Sequence, residues 1–373
     1  MNEIVEKAKT FAAKHVAPNA AKWAREGRMQ VEALKFAGAQ GLLAFQAPRA
    51  WGGGEIGFHE KLQLLDVLSR HSYDFAFSLT NTAGAAARVA TELPRAVAER
   101  YVPAMLAGER FGGSALSEPG AGSDFAGIKT RAIKDGEGWR LTGEKGWITN
   151  AAFGDVFLTY AQTDPAQGWR GIGCFLVDGR REGYARSAAE ALAGGGVIGA
   201  GGFTLSNYRV NADELISPPG KAFRGAMASV NQARTYVASM CCAMVDACLD
   251  TAAAYGKTRQ AFGAALAAKQ GWRWMAADIA TDAEAARLLV AKAADLIVRE
   301  QDAALASAHA KKFATRMAVQ RISDASQLMG AAGLREDYPF LRHLASARVA
   351  NYTDGSTEMQ NERIAAILLG PAG

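Results

Sequence analysis

The side chains best able to do chemistry in this 373-residue chain lie in four short stretches and at one carboxylate near the C-terminus. The first stretch is Leu116-Ser117-Glu118-Pro119-Gly120-Ala121-Gly122-Ser123-Asp124. Its small and turn-forming residues let backbone N–H groups approach a ligand closely, and Ser117 and Ser123 add hydroxyl donors beside them. The second, Gly143-Glu144-Lys145-Gly146-Trp147-Ile148-Thr149-Asn150, follows about one hairpin later. A tryptophan beside a hydroxyl can cover one face of a ring while donating to a ring nitrogen, which tunes a cofactor rather than performing its chemistry. The third, Arg259-Gln260-Ala261-Phe262-Gly263, offers a guanidinium fork to a diphosphate and an aromatic plane to a purine. The fourth is Gln327-Leu328-Met329-Gly330, and the carboxylate is Asp354 in Tyr352-Thr353-Asp354-Gly355-Ser356-Thr357-Glu358-Met359-Gln360. Taken singly, each has an ordinary reading. The loop is a surface turn, Trp147 a core aromatic, Arg259 a solvated helix charge, and Asp354 a turn residue ahead of the last helix, since Asp-Gly is a common turn pair.

Other chemistries find less support. His15, His59, His71, His309 and His343 show no i, i+4 pair and no cysteine partner, so no metal site is expected. Walker, HExxH and GxSxG patterns are missing from the sequence. A GxGxxG at Gly194, Gly196 and Gly199 follows Ala188–Ala193 rather than a strand and precedes the strand-like Phe203-Thr204-Leu205. It reads as a flexible glycine loop rather than a dinucleotide fingerprint. Cys174, Cys241, Cys242 and Cys248 form no spaced framework and read as reduced, buried small hydrophobes.

The charge balance, 42 − 37 = +5, suits phosphate-bearing small molecules. Nucleic acid is not expected, because the basic residues are spread along the chain instead of forming a patch. Met1 to Gly27 reads as one amphipathic helix carrying Lys7, Lys14 and Lys22, without the apolar core of a signal peptide. No uninterrupted apolar run approaches about 18 residues, so no membrane span is expected and the cytoplasm is the expected location.

The elements that must position these groups fall into three blocks. Residues 1–111 carry helical periodicity, as at Leu62, Leu64, Leu65, Val67 and Leu68, broken by Trp51-Gly52-Gly53-Gly54. Residues 112–217 hold short aromatic and β-branched runs, Trp139-Arg140-Leu141-Thr142, Val156-Phe157-Leu158-Thr159-Tyr160 and Gly173-Cys174-Phe175-Leu176-Val177, separated by turn residues. After Ser217-Pro218-Pro219-Gly220, residues 218–373 return to long helices at about 222–256, 269–299, 303–330 and 339–351. The expected architecture is α+β and mainly α: an N-terminal helical domain, a central barrel-like β-sheet and a C-terminal four-helix bundle. Segregated runs of this kind exclude a doubly wound parallel sheet.

The joint, ordered occurrence of these motifs along a helix, sheet, helix chain resembles the acyl-CoA dehydrogenase family of flavoenzymes, over essentially the whole length. The resemblance implies FAD, an acyl thioester substrate on CoA or on acyl-carrier protein, and a homotetramer or at least a dimer. An electron-transferring flavoprotein would be the acceptor. It places Leu116, Ser117, Gly122 and Ser123 against the flavin, and Trp147, Ile148 and Thr149 around the ring and its N5. Arg259 and Phe262 match helix positions that hold the pyrophosphate and adenine of a neighbouring subunit's FAD, with Gln270, Gln327, Leu328, Gly330 and Ala331 on the same cofactor. Ser356 and Glu358 are also implied on the cofactor side, and Ser123, Asn231, Arg234 and Gly355 on the substrate side.

Asp354 matches the carboxylate that removes the α-proton, usually a glutamate. The alternative base of some relatives, on the residue before an arginine matched by Arg234, is Ala233 here. Further departures are Ala331 for a second glycine, Ala261 for a hydroxyl residue, and a nearly all Gly/Ala segment, Ala193–Gly202, where a polar segment usually holds the thioester arm. Nitroalkane-oxidising relatives use an aspartate base, so a flavin oxidase or monooxygenase is the alternative chemistry. A non-catalytic DNA-binding flavoprotein is the alternative class.

Overall fold

The computed structural model describes residues 3–27, 31–190, 192 and 198–370. The N-terminal segment is not one helix as expected. It is α1 (Glu3–Phe11), a π-helical turn over Ala12–Val16 and α2 (Ala20–Glu26), with Gly27 at φ +64° closing α2. Pro18 lies in the break, where it lacks the N–H that a continuous helix needs. Val5, Ala8, Phe11, Ala12 and Val16 still reach the core, so the apolar stripe survives the interruption. Next come α3 (Val31–Ala39), α4 (Phe58–Ser69), α5 (Tyr73–Glu92), α6 (Arg95–Ala98) and α7 (Val102–Leu106). Leu62, Leu64, Leu65 and Leu68 bury one face of α4, while Ser72 caps α5 by accepting from the Phe75 amide at 3.2 Å.

The sheet contains β1 (Gly112–Ala115), β2 (Arg131–Asp135), β3 (Gly138–Ile148), β4 (Val156–Gln162), β5 (Ile172–Asp178), β6 (Tyr184–Arg186), β7 (Gly201–Val210) and β8 (Leu215–Ser217). Its order is β6-β7-β3-β2-β4-β5-β8, with β1 added parallel to β4. All residues of β4 and β5 are buried, which explains their unbroken apolar runs. Val156, Leu158, Tyr160, Cys174 and Leu176 join one core with α5 and the start of α8, whereas Phe157, Phe175 and Val177 join another with Phe203 and Tyr208. The Tyr208 hydroxyl accepts from the Asp178 amide at 2.8 Å and donates to its carbonyl at 3.1 Å. β7 is thereby drawn over β5. The barrel-like expectation takes the form of a curled sheet whose end strands, β6 and β8, do not pair with each other.

The C-terminal layer is α8 (Ala222–Thr258), a small hairpin of β9 (Gln260–Ala261) and β10 (Ala264–Ala265), then α9 (Gln270–Val298), α10 (Ala304–Leu328), α11 (Phe340–Tyr352) and α12 (Thr357–Leu369). α8 is the one helix among the described residues long and apolar enough to cross a membrane, but 67% of its apolar window is buried inside the fold. It is a core helix, packed by α4, α9 and α10. The four cysteines are free and buried, three on α8 and one on β5.

Candidate active site

Asp354 lies in the turn between α11 and α12, at φ +53°, followed by Gly355 at φ +93°. The left-handed region is costly for an aspartate, so the turn must be held by its surroundings. Lys311, on α10, donates to the carbonyls of Thr353 at 2.8 Å and Gly355 at 3.2 Å. Arg234, on α8, donates to the carbonyl of Asp354 at 3.1 Å and to Asn231 Oδ1 at 3.1 Å, and Gln360 donates to the Gly355 carbonyl at 3.0 Å. Gly355 sits at φ +93°, which favours glycine, and a Cβ there would press on Gln360 Nε2 at 2.9 Å and an Arg234 nitrogen at 3.3 Å.

Ser356, not Asp354, caps α12, accepting from the Met359 amide at 3.4 Å. The Asp354 carboxylate is thus left over, with Oδ2 buried and without a hydrogen-bond partner among the described residues. Burial raises its pKa, against the lowering pull of Lys311, Arg234 and Lys61. The same dry space depresses Lys311 to about 8 and Lys61 to about 7, again chiefly by burial and partly countered by Asp354. Tyr73 meets Thr353 Oγ1 at 3.4 Å, and the buried Tyr236 lies under the Lys61 ammonium, 4.6 Å from the ring centroid.

The structure therefore gathers four residues singled out from sequence, Asp354, Gly355, Asn231 and Arg234. It adds Lys61, Lys311, Tyr73, Tyr236, Thr353 and Gln360, for which no role was read. One signal could have found the lysines. Lys61 precedes Leu64, Leu65 and Leu68 on the apolar face of α4, and Lys311 sits among Ala308, Ala310 and Ala314 on that of α10. A lysine in phase with core positions is not a solvated charge.

A second constellation forms at the rim of the sheet. The β3–β7 register shifts between Lys145 and Ile148, a bulge that turns Trp147 outward at φ +60° and 57% exposure. The loop 116–124 is fixed beneath it. Lys145 Nζ, fully buried, donates to the Leu116 carbonyl at 3.0 Å and to Glu118 Oε1 at 3.0 Å, and Glu118 also accepts from the Lys129 and Thr130 amides. Burial pushes Glu118 upward, but Lys145 and these amides prevail and its carboxyl titrates below the ordinary range. Gly146 donates to the Ser117 carbonyl at 3.2 Å, tying bulge to loop.

Gly122, Ser123 and Asp124 are exposed, and a Cβ at Gly120 or Gly122 would meet nothing within 4 Å. Ser117 and Thr149 are half-buried and Ile148 is buried. Asn150, at φ +67°, donates to the carbonyls of Ser78 at 3.0 Å and Gly112 at 2.9 Å. α5 thereby supports both constellations, holding Asn150 at Ser78 and the Asp354 turn at Tyr73, about 7.5 Å apart along its axis. An open glycine rim, a hydroxyl and an outward indole suit a flavin ring.

The third group lies elsewhere. Arg259 and Phe262 were matched to helix positions, but α8 ends at Thr258. Arg259 is extended, and Phe262 and Gly263 form the β9–β10 turn at φ +51° and +75°. The helical period cannot continue through two consecutive left-handed residues. Phe262 is 98% exposed, Gln270 opens α9, and Gln327, Gly330 and Ala331 rim a cleft of about 430 Å³ at the end of α10. Leu328 is buried, its carbonyl accepting from Trp272 Nε1 at 3.0 Å. Ser123 stays on the rim loop and Glu358 is exposed in the first turn of α12. Of the glycine loop, Gly199 lies just before β7 and Gly201 and Gly202 open it, while Gly194 and Gly196, with the rest of 193–197, lie outside the described residues.

A helical layer, a curled sheet with an open aromatic rim, and a helical bundle around a half-buried aspartate fit a flavin-dependent oxidoreductase. Family models match in the same order: the acyl-CoA dehydrogenase N-terminal domain over residues 1–109, the middle domain over 113–207 and the C-terminal domain over 220–369. The chain belongs to the acyl-CoA dehydrogenase family, and its cofactor is FAD. It is 32% identical to an acyl-CoA dehydrogenase of Bacillus subtilis over 96% of this chain and 95% of that one. Its fold is similar to that of butyryl-CoA dehydrogenase from Megasphaera elsdenii, with TM-score 0.92, 26% identity and coverage of 98% and 97%. It is also similar to the FAD complex of PigA, with TM-score 0.91, 25% identity and coverage of 99% and 97%.

Proposed function

We propose that the chain oxidises an acyl thioester to the 2-enoyl thioester, with Asp354 taking the α-proton. FAD held there would supply the acceptor for the β-hydride; Asp354 takes the α-proton, and loss of the two hydrogens leaves a C=C bond between the two carbons. The observation that carries this reading is the buried, unpartnered Asp354 Oδ2. Burial raises its pKa and so its basicity, against the lowering pull of Lys311, Arg234 and Lys61. Lys311, Arg234 and Gln360 hold the loop by its carbonyls and leave the carboxylate free.

The loop 116–123 and Trp147–Thr149 are the proposed flavin wall, and Arg259, Phe262, Gln270, Gln327, Leu328, Gly330 and Ala331 the proposed dinucleotide grip. Ser356 and Glu358 are assigned to the cofactor side, and Ser123, Asn231, Arg234 and Gly355 to the substrate side. One chain does not bring wall and grip together. Phe125, beside the rim loop, stacks on Phe223 at the start of α8 at 5.2 Å between centroids, whereas Arg259 follows its end, about 54 Å further along. This supports a homodimer or homotetramer in which each copy completes the other's cofactor site. An electron-transferring flavoprotein is the proposed acceptor, the cytoplasm the proposed location, and CoA or a carrier protein the thioester arm.

Anaerobic addition of acyl thioesters to the FAD-loaded protein should bleach the flavin band; no bleaching at any chain length would sink the reading. The aspartate itself favours a second one, oxidase chemistry. Oxygen uptake with a nitroalkane, and none with thioesters, would decide for that.

A further inference from the structure

β3 carries a lysine where the strand faces inward. Leu141, Lys145 and Ile148 are buried along it, while Thr142, Glu144 and Trp147 are exposed. Burying an ammonium is costly unless it is paired, and an apolar residue in such a place often serves stability as well as a buried ion pair does. What an apolar residue could not do is hold the loop beside it. Lys145 Nζ donates to the Leu116 carbonyl and to Glu118 Oε1, both at 3.0 Å. Glu118 in turn accepts from the Lys129 amide at 2.6 Å and the Thr130 amide at 2.9 Å.

These bonds give the loop a polarity. The carbonyls of Leu116, Ser117 and Glu118 are each occupied from within the chain, by Lys145, by the Gly146 amide at 3.2 Å and by the Ala121 amide at 3.1 Å. The amides of Gly120, Gly122 and Ser123 have no protein acceptor among the described residues, and all three residues are exposed. Acceptors are turned in and donors out. A flavin presents the converse along its pyrimidine edge, where carbonyl oxygens and ring nitrogens accept and where negative charge gathers on reduction.

We propose that Lys145 is a positioning residue for the flavin: by holding the Leu116 carbonyl and the Glu118 carboxylate inside the sheet, it presets the 116–123 loop as a donor surface before the cofactor arrives. The proposal rests on the placing of the flavin against that loop. With Lys145 present, the ordering of the loop is met in folding; without it, the same ordering is charged against FAD binding, and the donors that favour the reduced ring are less well aimed.

The test uses the full chain, stripped of FAD and reloaded. Lys145→Met should weaken FAD binding about tenfold or more, read by quenching of flavin fluorescence, and should shift the flavin midpoint potential to more negative values. The comparison is Asp178→Asn, which breaks another buried ion pair, Arg110–Asp178 at 2.5 Å. Arg110 precedes β1 whereas Leu116 follows it, so this pair lies at the strand's other end. Asp178→Asn should lower the melting temperature and leave FAD affinity and potential as in the native protein. Where Lys145→Met does not fold, Lys145→Met combined with Glu118→Gln, which buries no charge, takes its place and should show the same two changes. Unchanged affinity and potential in the folded variant overturn the proposal, as does an equal loss in Asp178→Asn or the failure of both Lys145 variants to fold, which would make the lysine structural. Hydrogen exchange keeps the underlying reading separate: FAD should slow exchange at the amides of residues 117–123 in the native protein, and no slowing there removes the placing of the flavin itself.

Discussion

Two turns in this molecule share a backbone and differ in everything around it. Asp354-Gly355 and Phe262-Gly263 each place a large residue and a glycine consecutively at positive φ, each between two helices. The first is roofed from within the chain: Lys311, Arg234 and Gln360 all donate to its carbonyls, and a Cβ at Gly355 would press on Gln360 and Arg234. The second stands in solvent. A Cβ at Gly263 would meet nothing within 4 Å, and its one side-chain tether is Lys269 to the Phe262 carbonyl at 3.2 Å. Strain of this kind persists only where surroundings over-determine it. The base turn has those surroundings already, and the hairpin acquires them on the proposed reading when a cofactor and a second copy close over Phe262.

The comparison is broken or sharpened by substitutions on either side. Asp354→Asn keeps the roof, because the bonds run to carbonyls, and removes the base. kcat with thioesters should fall by about 10²- to 10⁴-fold at unchanged FAD content. A drop in FAD instead would show that the turn is not independent of the cofactor. Asp354→Glu moves the carboxylate by about a methylene in a fixed frame and should cost up to about 10²-fold in kcat, read by single-turnover bleaching. Arg259→Ala and Phe262→Ala should each weaken FAD retention by about 10- to 100-fold, the scale of a lost charge-assisted contact. The melting temperature of the stripped protein should not move, since both side chains are exposed; a destabilised apo chain would contradict the picture of an unfinished turn.

The smallest effect is on pH. Because burial raises Asp354, the reactive ionised form is lost on acidification at a pH above the ordinary carboxylate range. kcat for the native enzyme should therefore rise with pH through that value, and a plateau extending down to pH 4 would refute the dry base.

How far all this was legible in sequence differs from element to element. The helices α8 to α11 and the strands β3, β4 and β5 follow from periodicity and apolar runs, because each buries a stripe or both faces in one core. The base loop follows from its motif. The break at Pro18 sits inside a convincing apolar stripe, and the Phe262-Gly263 turn inside a motif read as helix, so in both places pattern outvoted backbone chemistry. Lys61, Lys311, Tyr73 and Tyr236 escaped because what matters about them is which helices meet at Asp354. α4 and α5 are neighbours in sequence, but α8, α10 and the Asp354 turn lie far from them, and no local spacing encodes their convergence.

α5 closes the account. Because it contacts the sheet rim through Ser78 and the Asp354 turn through Tyr73, the two sides of the proposed reaction chamber share one helix. On the proposed reading, the spacing a substrate must fit therefore depends on where α5 lies as well as on either side.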